Sequence, residues 1–219
     1  MFNKINLDSI LKELEPYHAK LVAVSKKKPA SIVSEAINAG QLIFGENYVQ
    51  ELVAKQAELP PAVQWHFIGH LQSNKVKQIV PFISMVQGVD SIKLLKEIDK
   101  EAGKCNRVVD CLLQVHIAQE ETKFGFDIQE AETFLQSDSL SQLKNIRLCG
   151  LMGMASLTGD TQKVRDEFRS LKKLFDEVKQ PVAGTAFTTL SMGMTSDYKI
   201  ALEEGSNMIR IGSALFGER

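Results

Sequence analysis

Three consecutive lysines follow the first apolar segment of the sequence, and the first of them could act as a nucleophile. Lys26 is in phase with Val22 and Val24, so on a strand these three side chains point the same way. If the valines face an apolar interior, desolvation lowers the pKa of the Lys26 amine, and a neutral amine can attack a carbonyl carbon. The alternative is that the three lysines form a solvated run of charge.

Serine and glycine residues in the last quarter of the sequence could bind a phosphate group. Ser191 lies in one apolar run, and Gly212 and Ser213 lie in the last one. Glycine lets a phosphate approach backbone N–H groups closely, and serine adds a hydroxyl donor. The alternative is that Gly212 and Gly217 are only turn glycines. The sequence contains neither G-x-x-x-x-G-K-[ST] nor G-x-G-x-x-G, so a nucleotide phosphate loop is not predicted.

Arg210 lies two residues before Gly212, on the same strand face and one pleat deeper, where a ring attached to the phosphate would lie. Its guanidinium only donates hydrogen bonds, so it would keep a pyridine nitrogen unprotonated and make the ring a poor electron sink. A lysine opposite a phosphate site is the arrangement that holds a phosphorylated aldehyde as a Schiff base. The alternative for Arg210 is a salt bridge at the rim.

Other polar residues also lie near the predicted strand ends. His66 and His70 are four residues apart, but no nearby cysteine or carboxylate completes a zinc site, so no metal is predicted. Asp90 and His116 are either structural hydrogen-bond partners or catalytic groups.

A fold is needed that brings the ends of several strands together. Short apolar runs alternate with helical patterns, which produces parallel strands joined by helical crossovers. We expect an α/β fold, a single (β/α)8 TIM barrel over residues 1–219 with an extra N-terminal helix at about residues 7–17. An open doubly wound sheet is the alternative, but the first turn lacks its glycines. The predicted strands are residues 21–25, 42–45, 65–69, 85–89, 111–117, 148–155, 188–194 and 208–215.

The clearest helical pattern covers residues 160–179, with Asp160 as its N-cap. Three other helices, predicted at residues 30–39, 91–102 and 196–204, are each followed by a glycine that can adopt the left-handed conformation. These glycines are Gly40, Gly103 and Gly205.

The overall charge limits the classes of partner. Twenty-six Lys and Arg residues against 27 Asp and Glu give a net charge of −1, so neither nucleic acid nor a membrane surface is predicted as a partner. The N-terminus lacks an apolar signal stretch, and a cytoplasmic protein is expected. Cys105, Cys111 and Cys149 have no C-x-x-C spacing and are expected to be free thiols in or near the core.

Six runs between residues 21 and 217 carry a resemblance to a known family. They are residues 23–26 (AVSK), 44–51 (FGENYVQE), 65–75 (WHFIGHLQSNK), 150–152 (GLM), 190–194 (LSMGM) and 210–217 (RIGSALFG). Together they resemble the pyridoxal 5′-phosphate (PLP) homeostasis proteins. The resemblance implies a single barrel like the N-terminal domain of alanine racemase, with PLP as its cofactor.

The family's site residues can be placed on this sequence. The resemblance implies that Lys26 is the cofactor lysine and that Arg210 faces the pyridine nitrogen. Asn47 matches a strand-end asparagine near the cofactor. Ser213 stands where many members have threonine, and residues 195–197 read Thr-Ser-Asp where many read Ser-Asp-Asp. The matching positions are Lys26, Asn47, Ser191, Arg210, Gly212 and Ser213.

The resemblance implies a protein that holds PLP and hands it on without a defined reaction. PLP-dependent apoenzymes are candidate recipients, and a monomer is expected. The alternative is a fold-type III enzyme, a racemase or lyase that uses one base such as His116. Alanine racemase needs a second base from a further domain, for which 219 residues leave no room. A third hypothesis is a cofactor-free aldolase in which Lys26 attacks a sugar-phosphate carbonyl.

Overall fold

Eight parallel strands form a closed barrel in which neighbours in the chain are also neighbours in the sheet. The computed structural model describes residues 1–118, 124–178 and 187–218. The strands are β1 (Lys20–Val24), β2 (Ile43–Glu46), β3 (Gln64–Phe67), β4 (Met85–Val89), β5 (Val109–Val115), β6 (Ile146–Gly153), β7 (Thr189–Ser191) and β8 (Met208–Ile211). Strand β1 also pairs with β8, from Lys20↔Met208 to Ala23↔Ile211, which closes the barrel. The predicted barrel is therefore confirmed.

Helices connect successive strands and cover the outside of the barrel. They are α1 (Lys4–Leu14), α2 (Ala30–Asn38), α3 (Val49–Glu58), α4 (Val76–Ile79), α5 (Ile92–Lys104), α6 (Ile128–Leu135), α7 (Thr161–Val178), α8 (Tyr198–Glu203) and α9 (Ser213–Phe216). Short 3-10 helices lie at Glu15–Tyr17, Ser73–Lys75 and Asp138–Gln142. Of the helices in the described ranges, none has both the length and the apolar composition that a membrane crossing requires.

The apolar core has two layers, because each strand alternates its side chains between the barrel interior and the surrounding helices. The outer layer lies between strands and helices and includes Phe44, Leu52 and Phe168. The inner layer fills the lower interior of the barrel with Val22, Met85, Leu112, Cys149, Met152 and Met208. Val22 in this layer fixes the phase of β1, so that alternate residues after it continue up the inside of the barrel.

Helix boundaries agree with the sequence patterns at most positions. Helix α1, followed by the 3-10 turn, confirms the extra N-terminal helix. Asp160 Oδ1 accepts from the N–H groups of Gln162 and Lys163, both at 3.1 Å, which confirms the N-cap of α7. The last residue predicted for that helix, Lys179, lies outside the described residues. Gly40 and Gly205 follow their helices with φ of 97° and 94°, which confirms them as left-handed stops.

Gly103 was wrongly predicted to end a helix. Helix α5 continues to Lys104, and Asn106, with φ of 52°, takes the left-handed conformation instead. A Cβ atom on Gly103 would lie 2.8 Å from Asn145 Nδ2, so the glycine lets Asn145, the residue before β6, approach the helix closely.

Two other expectations also differ from the structure. The last predicted strand stops at Ile211, and residues from Ser213 onward form α9, because a short apolar run fits a buried helix turn as well as a strand. Cys111 and Cys149 are buried as expected, but Cys105, next to the left-handed turn after α5, is exposed.

Candidate functional site

A cavity of about 450 Å³ opens at the C-terminal ends of the strands, where the loops from several strands meet. Its wall next to β1 and β2 carries Lys26, Lys28 and Asn47. The opposite wall carries polar residues from the loops after β7 and β8. These residues are Thr195, Ser196, Gly212 and Ser213. The cavity therefore joins a lysine to a group of hydroxyl side chains and a glycine across the mouth of the barrel.

Lys26 occupies the position that the strand phase predicts. Val22 belongs to the barrel interior, Val24 lines the cavity, and Lys26 lines it above them. The side chain of Lys26 is half-buried, whereas Lys27 is exposed. The three lysines are thus not a uniform solvated run, because Lys28 also lines the cavity and its Nζ contacts the carbonyl oxygen of Glu218 at 3.1 Å.

Arg210 lies at the floor of the cavity and is almost fully buried, with 4% of its surface exposed. Its NH1 donates to Ser191 Oγ at 2.7 Å, and its NH2 donates to the carbonyl oxygen of Gly153 at 3.0 Å. Burial lowers the pKa of Arg210 to about 10, so the guanidinium remains charged at neutral pH. Arg210 is therefore an interior donor held by neutral oxygens, at the depth that its spacing from Gly212 predicts.

Ser191 lies deeper than the other predicted phosphate-binding residues. It is fully buried, and its hydroxyl donates to Gln87 Oε1 at 2.7 Å while it accepts from Arg210. The structure therefore brings Gly212 and Ser213 together on the cavity wall but places Ser191 beneath it. Thr195 and Ser196 line the wall and were missed as site residues. The signal for them was a pair of hydroxyl residues just after the β7 run.

Asn47 lies between the lysine wall and the floor, on the loop that follows β2. Its side chain lines the cavity, and its buried Oδ1 has no hydrogen-bond partner within the described ranges. Buried polar atoms normally have a partner, so this amide oxygen beside the cavity has an unused capacity to accept a hydrogen bond.

Comparison with known proteins identifies the family. The alanine racemase N-terminal domain family matches residues 4–219. The chain belongs to that family. It is 38% identical over 202 residues to the pyridoxal phosphate homeostasis protein of Aquifex aeolicus, an alignment that covers 92% of this chain and 87% of the relative. The sequence resemblance is therefore confirmed.

Solved structures within this family show the same fold. PipY of Synechococcus elongatus, solved without PLP, is 38% identical, with a TM-score of 0.92 and coverage of 98% of this chain and 99% of PipY. A second structure of PipY has PLP bound. It is 37% identical, with a TM-score of 0.88 and the same coverage of both chains. The alanine racemase N-terminal barrel is thus shared over nearly the whole chain.

A polar network fills the upper interior of this alanine racemase-type barrel, below Arg210. Gln87, which accepts from Ser191, has its Nε2 at 2.8 Å from His66 Nδ1. Burial lowers the pKa of His66 to about 4, so the ring is neutral at pH 7 and can accept from the amide. The sequence signal for Gln87 was an amide in the apolar run of β4. His66 is therefore part of the support for Arg210.

A buried ionic cluster lies behind Lys26, between the barrel and α3. Lys55 Nζ is 2.7 Å from Glu46 Oε1, and the two side chains are 5% and 0% exposed. Ser25 Oγ donates to the same carboxylate oxygen at 2.6 Å. Desolvation raises the pKa of Glu46, and the Lys55 ammonium opposes that rise. Sequence reasoning missed this cluster, because Lys55 looks like an ordinary surface lysine of an amphipathic helix.

The rim histidines lie apart from this cavity. His70 Nδ1 is 2.6 Å from Asp90 Oδ2, and its ring stacks on Phe124 with centroids 4.1 Å apart. His66 is inside the barrel, so the two histidines do not face a common point. Across the described residues no group of three or more His, Cys, Asp or Glu side chains could hold a metal ion. His116 is half-buried just after β5.

Proposed function

We propose that the protein binds PLP in the 450 Å³ cavity, holds it through Lys26, and serves the homeostasis of this vitamin B6 form. The observation that carries the proposal is the pairing across the cavity of Lys26 with the wall of Gly212 and Ser213, above the buried Arg210. The name of the relatives and the PLP-bound PipY structure support it. A cavity of this size is within the usual range for small-ligand sites.

The proposal assigns a group of the cavity to the aldehyde, the phosphate and the ring nitrogen of PLP. The Lys26 amine, in its uncharged form, would attack the aldehyde carbon to form a C=N bond, and the aldehyde oxygen would leave with the two amine protons as water. The hydroxyl groups of Ser213, Thr195 and Ser196 would donate to the phosphate, and Gly212 would allow close approach. Arg210 would lie by the ring nitrogen. Asn47 would contribute its unpartnered amide oxygen.

Ser191 has a supporting role in this proposal, since its hydroxyl orients Arg210. A donor-only guanidinium keeps a pyridine nitrogen unprotonated and weakens its ability to stabilise a carbanion. This favours holding PLP, or chemistry that moves a single proton, over reactions that need a strongly stabilised carbanion.

The absorption spectrum of the purified protein with PLP tests the proposal. We expect a visible band that disappears in Lys26→Ala and persists in Lys27→Ala, which removes an exposed side chain. Borohydride reduction followed by mass measurement should add a phosphopyridoxyl group to the Lys26 peptide. A band that survives Lys26→Ala would refute the linkage, and a sugar-phosphate adduct would favour the aldolase hypothesis.

The family relationship to alanine racemase gives the enzymatic alternative, a racemase or lyase. Incubation of the PLP-loaded protein with single amino acids in deuterated water separates the two hypotheses. A storage protein should give no α-carbon exchange above the rate of free PLP. Exchange far above that rate would establish an enzyme.

Several broader predictions belong to the same proposal. We propose that residues 1–219 act as one barrel domain in the cytoplasm, supported by the closing β1–β8 pairs and by three free thiols, which suit a reducing compartment. A monomer that passes PLP to apoenzymes is also expected. Sedimentation tests the monomeric state. Reactivation of a PLP-dependent apoenzyme, measured with a scavenger of free PLP present, tests the transfer of PLP.

A further inference from the structure

The peptide groups on both sides of Lys26 are held by side chains from a single helix outside the barrel. The carbonyl oxygen of Ser25 accepts from Lys55 Nζ at 2.7 Å, and the backbone N–H of Lys27 donates to Glu51 Oε1 at 2.5 Å. Lys55 and Glu51 lie one turn apart on α3, with Nζ and Oε1 2.7 Å apart. One ion pair thus contacts the chain immediately before and immediately after the residue that would bond PLP.

The burial of Lys55 and the use of all three of its N–H donors restrict this ion pair. The Lys55 ammonium has three donors, and its three acceptors are Ser25 O, Glu46 Oε1 and Glu51 Oε1, each at 2.7 Å. Lys55 and Glu46 are almost completely removed from solvent. Glu46 Oε2 has no hydrogen-bond partner within the described ranges, so the network is held through the Lys55 ammonium, whose fixed contacts set geometry more than they add stability.

The backbone just after Lys26 adopts a conformation that needs such support. Lys27 has φ of 61°, in the left-handed region that residues other than glycine rarely adopt. The bond from its N–H to Glu51 holds the turn in this conformation. The Lys28 N–H also donates to the Ser25 carbonyl oxygen at 3.1 Å, so loss of the Glu51 acceptor removes one restraint on the turn and lets the direction in which the Lys26 side chain leaves the backbone vary more.

We propose that Glu51 and Lys55 are positioning residues for Lys26. They fix the two flanking peptide groups from behind, so that the Lys26 amine enters the cavity in the direction of the wall formed by Gly212 and Ser213. This inference rests on the proposed PLP linkage. Preorganisation of a nucleophile reduces the entropy lost when its bond forms, and displacement by about 1 Å can cost up to about 100-fold.

The test compares PLP with 4′-deoxypyridoxine 5′-phosphate, which has the phosphate and ring but no aldehyde. In Glu51→Ala, Lys55 keeps Glu46 and Ser25 as partners, and the replaced side chain is 22% exposed, so the fold should persist. We expect the Kd for PLP to rise roughly 10-fold or more. The Kd for the aldehyde-free analogue should stay within about twofold. Equal weakening of both ligands would overturn the inference, because it would indicate general damage to the cavity.

Two further variants of α3 complete the test. Glu51→Gln retains a side-chain oxygen that can accept from the Lys27 N–H, so it should recover most of the PLP affinity that Glu51→Ala loses. A Glu51→Gln protein as weak as Glu51→Ala would contradict the hydrogen-bond role. Glu58→Ala removes an exposed carboxylate from the same helix and should behave as wild type with both ligands.

The outcomes separate this inference from the proposed function. If wild type shows no Lys26-dependent band with PLP, the proposed function itself fails. If that band is present and Glu51→Ala binds PLP as tightly as wild type does, the linkage stands and the positioning inference is wrong.

Discussion

The two walls of the cavity are supported by different kinds of interaction. Behind Lys26 lies an ionic cluster, in which the buried Lys55 ammonium contacts the buried Glu46 and the partly exposed Glu51. The wall of Gly212 and Ser213 stands above hydrogen bonds among Arg210, Ser191, Gln87 and His66, in which most groups are neutral. A covalent bond requires one direction of approach, whereas a phosphate can be shared among several weak donors. The stiffer support therefore lies behind the residue whose direction matters more.

The largest expected effect is a loss of folding stability when the ionic cluster behind Lys26 is disrupted. Lys55→Met would leave the fully buried Glu46 without its cation and should lower the free energy of unfolding by about 3–5 kcal/mol. Urea unfolding followed by circular dichroism measures the change. Lys100→Met, at an exposed ion pair on α5, is the control and should leave the urea midpoint unchanged. Similar midpoints for the two variants would remove the distinction between buried and exposed pairs.

The stability of the fold should depend on pH through His66, which belongs to the hydrogen-bonded network below Arg210. Its pKa is about 4 in the folded protein against 6.5 for the free side chain, because burial disfavours the charged ring. A lowered pKa stabilises the fold above pH 6.5, and this stability is lost as the pH falls toward 4. We expect His66 to account for a loss of about 3 kcal/mol over that range.

Unfolding in urea at pH 7, 5.5 and 4.5 measures this loss. His66→Gln keeps a neutral acceptor for Gln87 and should flatten the pH dependence. The same slope in wild type and His66→Gln would show that another group is responsible.

Ser191→Ala decides between two roles for that hydroxyl. The change leaves Gln87 Oε1 and Arg210 NH1 without a partner, and PLP binding should weaken roughly 10-fold. If Ser191 acts by orienting Arg210, binding of pyridoxal, which has no phosphate, weakens by the same factor. If only PLP binding weakens, Ser191 is the phosphate donor that the sequence predicted. Titrations of both ligands, followed by absorbance, make the comparison.

The smallest effect is expected at Ser213, on the wall of Gly212 and Ser213 that is proposed to bind the phosphate. Ser213→Ala removes an exposed hydroxyl, and the Kd for PLP should rise about 3- to 10-fold while that for pyridoxal stays constant. Ser141→Ala is the control, since Ser141 is an exposed serine in the 3-10 helix before β6. Equal weakening of PLP and pyridoxal in Ser213→Ala would mean that this residue does not contact the phosphate.

Local patterns were sufficient to predict the barrel and much of the site. The apolar runs and the turn glycines such as Gly205 depend on neighbours within a few residues, so the strand order followed from the chain order. The rule that functional residues follow the strands of a barrel predicts Lys26 and Arg210 at the barrel mouth, and both line the cavity. Helix α9 was misread because four residues show no clear period.

Interactions between distant residues could not be predicted in the same way. Ser191 and Gln87 are 104 residues apart, and no spacing rule relates them. Lys55 has the sequence context of a surface lysine but is 4% exposed, because Glu46 at the end of β2 faces α3 and supplies its counter-charge. The depth of Ser191 was likewise hidden, since β7 stops earlier than its apolar run indicates.

The barrel closes where β1 meets β8, and the proposed ligand contacts lie on both sides of that seam. A ligand bonded to Lys26 and bound beside Gly212 would cross-link the first and last strands of the barrel. Separation of β1 from β8 would then require the bond to Lys26 to break or the ligand to dissociate first. Bound PLP should therefore stabilise the fold, and the midpoint of thermal unfolding should rise with the fraction of the protein that carries PLP.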